Sequence, residues 1–396
     1  MHYAVPSILA RVNCLERLYT DTYAPRAFRS TLSVACKMGP TPLRRWLARV
    51  PADIPEDKIV SSNRFGIEYY LRQKHAGLNG SATAAHLWAG GELCRRVINR
   101  GFGKASGVYT FNSAGLELLE LAQARGIFAA MEQTIAPRTI EQKLMESEVA
   151  DYPRWVTTRA ADPLQHAFSE REQREWRMSD LILCGSEFVL NGIREAGGPI
   201  DRCMVVPYGI RSTASVPKTG SCKRPLRVLT VGTVGLRKGT PYVLAAAQFL
   251  KNKVEFRMVG SLDITLYAQK ILRSNLELAG VVPRSDILRH FGWADVFLLP
   301  SICEGSATVC YEALAYGLPV IATPNTGSVV RDTVDGFIVP IRNSEAIVDR
   351  IERLAASRDL LATMSERALE RASEYTLDKY GVRLLEALGV YRGEQC

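Results

Sequence analysis

The sequence predicts an α/β protein built from two units with parallel sheets, and three observations carry that expectation. From Pro225 onward, short apolar runs alternate with helix-patterned stretches in a repeated strand-then-helix order. A weaker alternation of the same kind occupies residues 108–209. Between them, residues 211–225 (RSTASVPKTGSCKRP) are rich in Ser, Thr, Pro and basic side chains, the composition of an interdomain loop.

In chain order, the start is the least regular part. SILARVNCLERLYTD reads as a helix leading to a short strand, where a nucleotide-type domain opens on an apolar strand and a glycine turn. Either that first strand is absent or it is short and atypical. VYTFNSAG, GIFAAMEQT, DLILCGSEF and CMVVPYG then read as strands, separated by helical patterns such as GLELLELAQARG and the polar stretch LQHAFSEREQREWRMS. In the second half LRVLTVGTV, VEFRMVG, NLELAGVV, DVFLLPS, LPVIATP and GFIVP are the strand-like runs. Near-continuous apolarity in these runs fits strands covered on both faces, and right-handed crossovers make a doubly wound sheet the economical arrangement. After Pro340 the pattern is helical to the end. The expected division is 1–215, 216–375, and a C-terminal helix over 376–396 packing back on the first unit.

Composition narrows the function classes. The chain has 396 residues, 47% hydrophobic and 23% charged, which is enough for two cores and far from a disordered composition. No apolar window has the length of a membrane span, and the start lacks the basic-then-apolar order of a secretory signal, so a cytoplasmic location is expected. The 50 Lys plus Arg exceed the 41 acidic residues, a balance that suits nucleic acid, an anionic membrane surface or a phosphate-bearing substrate. The basic pairs Arg44-Arg45, Arg95-Arg96, Lys223-Arg224 and Arg237-Lys238 show no nucleic-acid-binding spacing, so no nucleic-acid partner is expected. The nine cysteines form no C-x-x-C pair and are expected to be reduced.

Three loops of the second half fall at the C-terminal ends of strands, where open α/β sheets bind ligands. The first, Gly232 to Gly239, follows a strand and precedes a helix, so its N–H groups with Arg237 and Lys238 suit a diphosphate. An ordinary turn with exposed bases explains it about as well. In the second, residues 301–313, Glu304 lies in the loop, Ser306 and Ala307 at a helix start, and Glu312 within the helix. A carboxylate there can accept from neighbouring sugar or ribose hydroxyls while early helix N–H groups hold phosphate oxygens. The third, Thr323 to Ser328, adds backbone and hydroxyl groups, or is a structural turn. In the first half, Ser186 and Glu187 begin a helix at a strand end, with N-capping the simpler explanation, and Glu132 and Gln133 occupy a candidate cleft loop, where strand-end polarity is the simpler one.

On these residues the stretch from about 226 to 340 resembles the donor-binding domain of retaining glycosyltransferases of family 4, which have the GT-B fold of two Rossmann-like domains facing across a cleft. Glu304 and Glu312 match the family's E-x7-E signature, with its EG dipeptide and its EA-x-A-x-G-x-P-V-I-A continuation, and Lys238 matches its phosphate-contacting lysine. The region SDLILCGSEFVLNGIREAGGPIDRCMVVPYGI is more diffusely similar to the end of the acceptor-side domain. The resemblance implies that Glu304 approaches the donor hexose, Glu312 holds ribose hydroxyls, Lys238 neutralises diphosphate, Ser306 and Ala307 add contacts next to Gly305, and Gly232 and Gly239 shape the phosphate loop. Lys238 and Glu304 are the expected catalytic pair. Thr233 stands where many relatives carry Arg, and Arg237 is the candidate to supply that charge. The acceptor-side catalytic His of such enzymes is not assignable among His2, His75, His86, His166 and His290.

The implied activity is transfer of a hexose from a nucleotide-diphosphate sugar to a saccharide or lipid-linked acceptor, in surface polysaccharide or glycolipid synthesis, with no metal or other cofactor compelled. Peripheral contact with the inner membrane surface, through residues such as Arg44, Arg45 and Trp46, is a further expectation, with an ordinary amphipathic surface the simpler explanation of those residues. A GT-B-type epimerase or phosphorylase and a degenerate sugar-nucleotide-binding scaffold are the competing readings.

Overall fold

The computed structural model describes residues 3–25, 53–79, 82–156, 162–211 and 224–390. The proposed linker 211–225 falls largely outside them, as do Arg44, Arg45 and Trp46. Two parallel sheets form the frame. In the first half, β3 (Gly107–Phe111), β4 (Phe128–Gln133), β5 (Leu181–Cys184) and β6 (Cys203–Val205) lie side by side in sequence order. In the second, β7 (Leu226–Val231), β8 (Val254–Val259), β9 (Glu277–Gly280), β10 (Val296–Leu299), β11 (Val320–Ala322) and β12 (Gly336–Ile338) are ordered 12-11-10-7-8-9. Chain progress reverses direction between β7 and β10, so the loops after these two strands diverge and leave a crevice at their C-terminal ends.

The apolar run VFLL of β10 is fully buried, with Val296, Phe297, Leu298 and Leu299 each at 0% exposure. A strand covered on both faces has no use for alternation, and each such side chain contributes about 1.5–3 kcal/mol on leaving water. This is the GT-B arrangement of two Rossmann-like domains that the sequence predicts.

At the start, a helix (Ala4–Arg11) is followed by β1 (Leu18–Thr20), as the sequence suggests. β1 is short and atypical: it pairs in parallel with β2 (Ile59–Ser61) in a separate two-stranded sheet. The last described helix, Leu377–Ala387, follows an isolated bridge between Ile210 and Thr376, and its Gly381 lies against Ile8. Its Tyr380 meets Tyr208 edge-on, with ring centroids 6.1 Å apart. One buried cluster therefore runs from Ile8 and Tyr208 through to Leu299, Tyr311 and Leu384.

A second tie joins the halves. The helix Arg138–Asp151 and the turn at Trp155 leave the first sheet and pack on the second domain, with Trp155 part of the buried cluster that also holds Leu226, Val243 and Leu272. The Glu148 carboxylate, wholly buried, accepts from Arg342 Nε at 2.5 Å and from the Tyr242 hydroxyl at 3.2 Å to each oxygen. Burial raises the Glu148 pKa, against the lowering effect of Arg342 and Tyr242.

The cysteines depart from expectation at one position. Cys94, Cys184, Cys203, Cys303 and Cys310 are free thiols, whereas Cys14 is disulfide-bonded.

Candidate functional site

The loop after β7 turns back on itself through one helical turn, Leu236–Lys238, and ends at Gly239 with φ 69°. A side chain at 239 would start 2.0 Å from the Pro300 carbonyl oxygen, so this position combines a left-handed backbone with contact against the neighbouring loop. The consequence is that Lys238 points inward. It is 9% exposed, and its stem lies against Gly232, whose missing side chain would sit 3.1 Å from Lys238 Cε.

The loop after β10 brings Glu304 to the same point. Glu304 Oε1 is 2.7 Å from Lys238 Nζ and 3.0 Å from Arg237 Nη1. The same oxygen is buried without a well-angled hydrogen bond, so the contact is chiefly electrostatic. Arg237 also donates to the Cys303 carbonyl at 3.3 Å, which turns its guanidinium towards the site although the side chain stays partly exposed. Two cations thus face one carboxylate, a surplus of positive charge where the sequence expects a diphosphate. Thr233, at the position of the missing arginine, only shares a hydrogen bond with Ser261 at 3.1 Å.

The helix Thr308–Ala315 begins beside this cluster with Ala307 at its cap and no side-chain capping bond. Uncapped first-turn N–H groups are suited to an anion. Ser306 is buried, its hydroxyl 2.8 Å from that of Tyr311. Glu312, one turn into the helix, pairs with Arg284 at 2.8 Å in a contact open to water. The third loop acts as a brace: Thr323 donates to Ser301 O, Thr326 to Leu299 O, and the Glu304 N–H to Asn325 O at 3.1 Å.

The first domain closes over the Glu304 loop. Ile135 and Gly305 form an antiparallel bridge, Ala136 N–H donates to Glu304 O at 3.3 Å, and Ser186 Oγ donates to Gly305 O at 2.5 Å. A side chain at 305 would begin 1.9 Å from Thr134 O, so only glycine allows this approach. Ser186 also caps its own helix, accepting from Val189 N, so the capping and cleft readings hold together.

All nine expected site residues lie on these two adjoining loops and the helix that follows. Gln133 does not join them: it is fully buried, bonded to Glu172 at 2.7 Å and Trp176 at 3.0 Å, on the far side of its strand. Glu132 is buried between the hydroxyls of Tyr109 (2.5 Å) and Tyr208 (2.7 Å), and burial raises its pKa. Among the described histidines, His86 bonds Tyr69, His290 faces Arg257, His166 pairs with Glu170 and His75 bonds its own helix. None is on the two loops. Arg284 was not anticipated, since neither spacing nor charge pattern links it to Glu312.

Residues 212–371 match the family description "Glycosyl transferases group 1". The putative colanic acid biosynthesis glycosyltransferase WcaL of Escherichia coli is 26% identical over 64% of this chain and 68% of its own. The amylovoran biosynthesis glycosyltransferase AmsK of Erwinia amylovora is 25% identical over 54% of this chain and 58% of its own, under two thirds of that relative. Among solved structures, Anabaena Alr3699/HepE in complex with UDP superposes with TM-score 0.59 at 13% identity, covering 98% of this chain and 96% of that one. Sucrose-phosphate synthase from Thermosynechococcus elongatus gives 0.59 at 17%, covering 78% and 77%. The chain therefore has the GT-B fold, and its second half is related to the glycosyl transferases group 1.

Proposed function

We propose that this protein is a nucleotide-sugar-dependent glycosyltransferase that moves a hexose-type sugar, with retention, from a nucleoside-diphosphate donor to a saccharide or lipid-linked acceptor hydroxyl. The observation that carries the reading is the meeting of Lys238, Arg237 and Glu304 at the switch point between β7 and β10, next to an uncapped helix N-terminus. The names of WcaL and AmsK support a role in surface polysaccharide or glycolipid synthesis. No helix among the described residues is long and apolar enough to cross a membrane. A cytoplasmic enzyme with peripheral contact at the membrane face is the corresponding proposal for location.

The pairs Lys238–Glu304 and Arg284–Glu312 suggest how the site works. The donor diphosphate takes the place of Glu304 as partner of Lys238 and Arg237, and the released carboxylate turns to the hexose hydroxyls. Glu312 exchanges Arg284 for the ribose hydroxyls. As the bond from the anomeric carbon to the diphosphate oxygen breaks, charge grows on the leaving oxygen. Lys238 and the Thr308 N–H at the start of the helix stabilise it. The acceptor oxygen bonds to the oxocarbenium-like carbon on the same face, and its proton passes to the departing diphosphate. No protein nucleophile is required.

The test is a nucleotide-sugar binding panel by calorimetry, followed by turnover with saccharide acceptors. Lys238→Ala removes a charge-assisted contact of about 1.5–3 kcal/mol, so donor affinity falls roughly 10- to 150-fold. Glu312→Gln weakens donors through the ribose alone. Unchanged donor binding and transfer in both variants refutes the site.

A further inference from the structure

Residues 134–137 connect β4 to the helix Arg138–Asp151, and their backbone meets the Glu304 loop through the Ile135–Gly305 bridge and the Ala136 N–H. One carboxylate holds this short segment at both ends. Glu172, 2% exposed on the helix Gln165–Arg177, accepts from Gln133 Nε2 at 2.7 Å with one oxygen and from the Arg138 N–H at 2.9 Å with the other. The Gln133 amide also donates to Ile135 O at 3.0 Å, and its oxygen accepts from Trp176 Nε1 at 3.0 Å. Both N–H groups and the oxygen of this buried amide are engaged, which fixes its orientation.

The helix Arg138–Asp151 has no side-chain cap from Pro137, so Glu172 supplies that cap from another helix. Arg138 turns its own guanidinium to Glu141 at 2.7 Å. A carboxylate bonded by neutral donors is costly to bury, and an apolar side chain would fill the space at lower cost, so its presence points to a conformation being held. The conformation it holds is that of the four residues lying against Glu304 and Gly305.

We infer that Glu172 is a positioning residue for Glu304, acting through Gln133 and the Arg138 N–H to keep residues 134–137 seated on the Glu304 loop. The inference rests on the transferase reading for the use made of Glu304, and on the geometry alone for the seat. Unseating the segment uncovers Glu172 and lets its carboxyl return from about 7 towards the ordinary value near 4.5. The seated form is therefore favoured at low pH, and the unseated fraction rises about tenfold between pH 6 and pH 8. The charged groups facing Glu172 are Arg138 and Glu141 on the following helix and Glu175 one turn along its own. His86, its pKa lowered by burial and then by Arg138, bonds Tyr69. Glu175 also titrates near 7 but holds a different loop, accepting from the N–H groups of Ser113, Gly115 and Leu116.

Cys303 reports the seat, because it is wholly buried in a cluster with Ala136 and Ile140 next to Glu304. Cys310, equally buried, packs in a different cluster. The full chain is pulsed with iodoacetamide between pH 6 and pH 8, and the ratio of Cys303 to Cys310 alkylation is read by mass spectrometry, so that global unfolding, which bares both, cancels. In the wild type this ratio is expected to rise about tenfold across the range. In Glu172→Ala it is already about tenfold higher at pH 6, since two buried donors lose their acceptor. In Glu172→Gln it no longer depends on pH, and in Glu175→Gln it follows the wild type. Binding of UDP, GDP and ADP by calorimetry stays within about twofold of wild type in each variant, while kcat/KM for transfer from the matching nucleotide hexose falls about tenfold in Glu172→Ala. If the two thiols rise together in Glu172→Ala, if the pH dependence survives in Glu172→Gln, or if transfer is unchanged in Glu172→Ala, the positioning role is refuted while nucleotide binding keeps the donor site standing. If the wild type binds no nucleotide and transfers nothing, the transferase reading falls, and the alkylation ratios alone uphold or refute the seat.

Discussion

Removing the Glu148 carboxylate tests how the two halves are held together. In Glu148→Ala the Tyr242 hydroxyl, on a residue 6% exposed, loses its acceptor, at a cost of about 1–3 kcal/mol. The charge-assisted bond from Arg342 is also lost. Because the Arg342 side chain is 30% exposed and reaches water, that term is discounted to about 1 kcal/mol. The expected sum is about 2–4 kcal/mol. Glu148→Gln retains an acceptor for Tyr242 and removes a charge whose burial outweighs its pairing, so it should cost no more than about 1.5 kcal/mol. The sign with pH follows from the raised pKa. Such a group contributes stability fully present below the unfolded value near 4.5 and lost as pH rises through the higher folded value. The wild-type protein should therefore gain on Glu148→Gln as the solution is acidified from neutrality. Urea unfolding followed by tryptophan fluorescence reads both quantities. An alanine variant within 1 kcal/mol of wild type, or a glutamine variant as unstable as the alanine one, defeats this account.

Other variants probe neighbouring features. Burial pushes the carboxyls of Glu172 and Glu175 up to about 7, so acidification from pH 8 to 6 should stabilise the protein by about 1 kcal/mol for each, and Glu172→Gln with Glu175→Gln should flatten that slope in thermal melts. Gly239→Ala combines a left-handed backbone, costing about 1–2 kcal/mol, with a clash against Pro300 O. It should lower the melting temperature and displace Lys238 enough to weaken UDP in calorimetry, and wild-type values for both would count against the loop geometry. Gly305→Ala forces the Thr134–Ala136 segment away from Glu304. Two interdomain hydrogen bonds at stake put the closed state about 1–3 kcal/mol lower in favour, visible as a larger radius in small-angle scattering. An unchanged radius would show that the approach is not tight.

The second sheet was legible because its strands are short apolar runs at regular spacing, bounded by the Gly and Pro that end them. The first was fainter because β1 and β2 are three residues each and pair apart from the main sheet. Lys238 and Glu304 lie 66 positions apart, and no local pattern joins them; a resemblance to known loops does. Glu148 was invisible for the opposite reason. It sits in EQKLMESEVAD, which reads as a solvent-facing helix, and its partner Arg342 comes from the other end of the fold. Polarity in that helix faces a second domain that a one-dimensional pattern does not contain. Gln133 failed similarly: strand alternation places it opposite Glu132, and Trp176 and Glu172 supply a buried polar network there.

The docking of Trp155 in the second domain's core bears on how such proteins can exchange parts. A cut in the stretch after Ile210 would separate the sheets but leave the receiving half's buried cluster without Trp155, and the donating half with an unsheltered aromatic pair, Tyr152 and Trp155. A working chimera would have to carry residues 138–156 along with the second domain, although they are encoded some seventy positions ahead of it. The inheritable module of this chain is thus discontinuous in sequence. Recombination between relatives is expected to be tolerated only where both pieces come from the same parent.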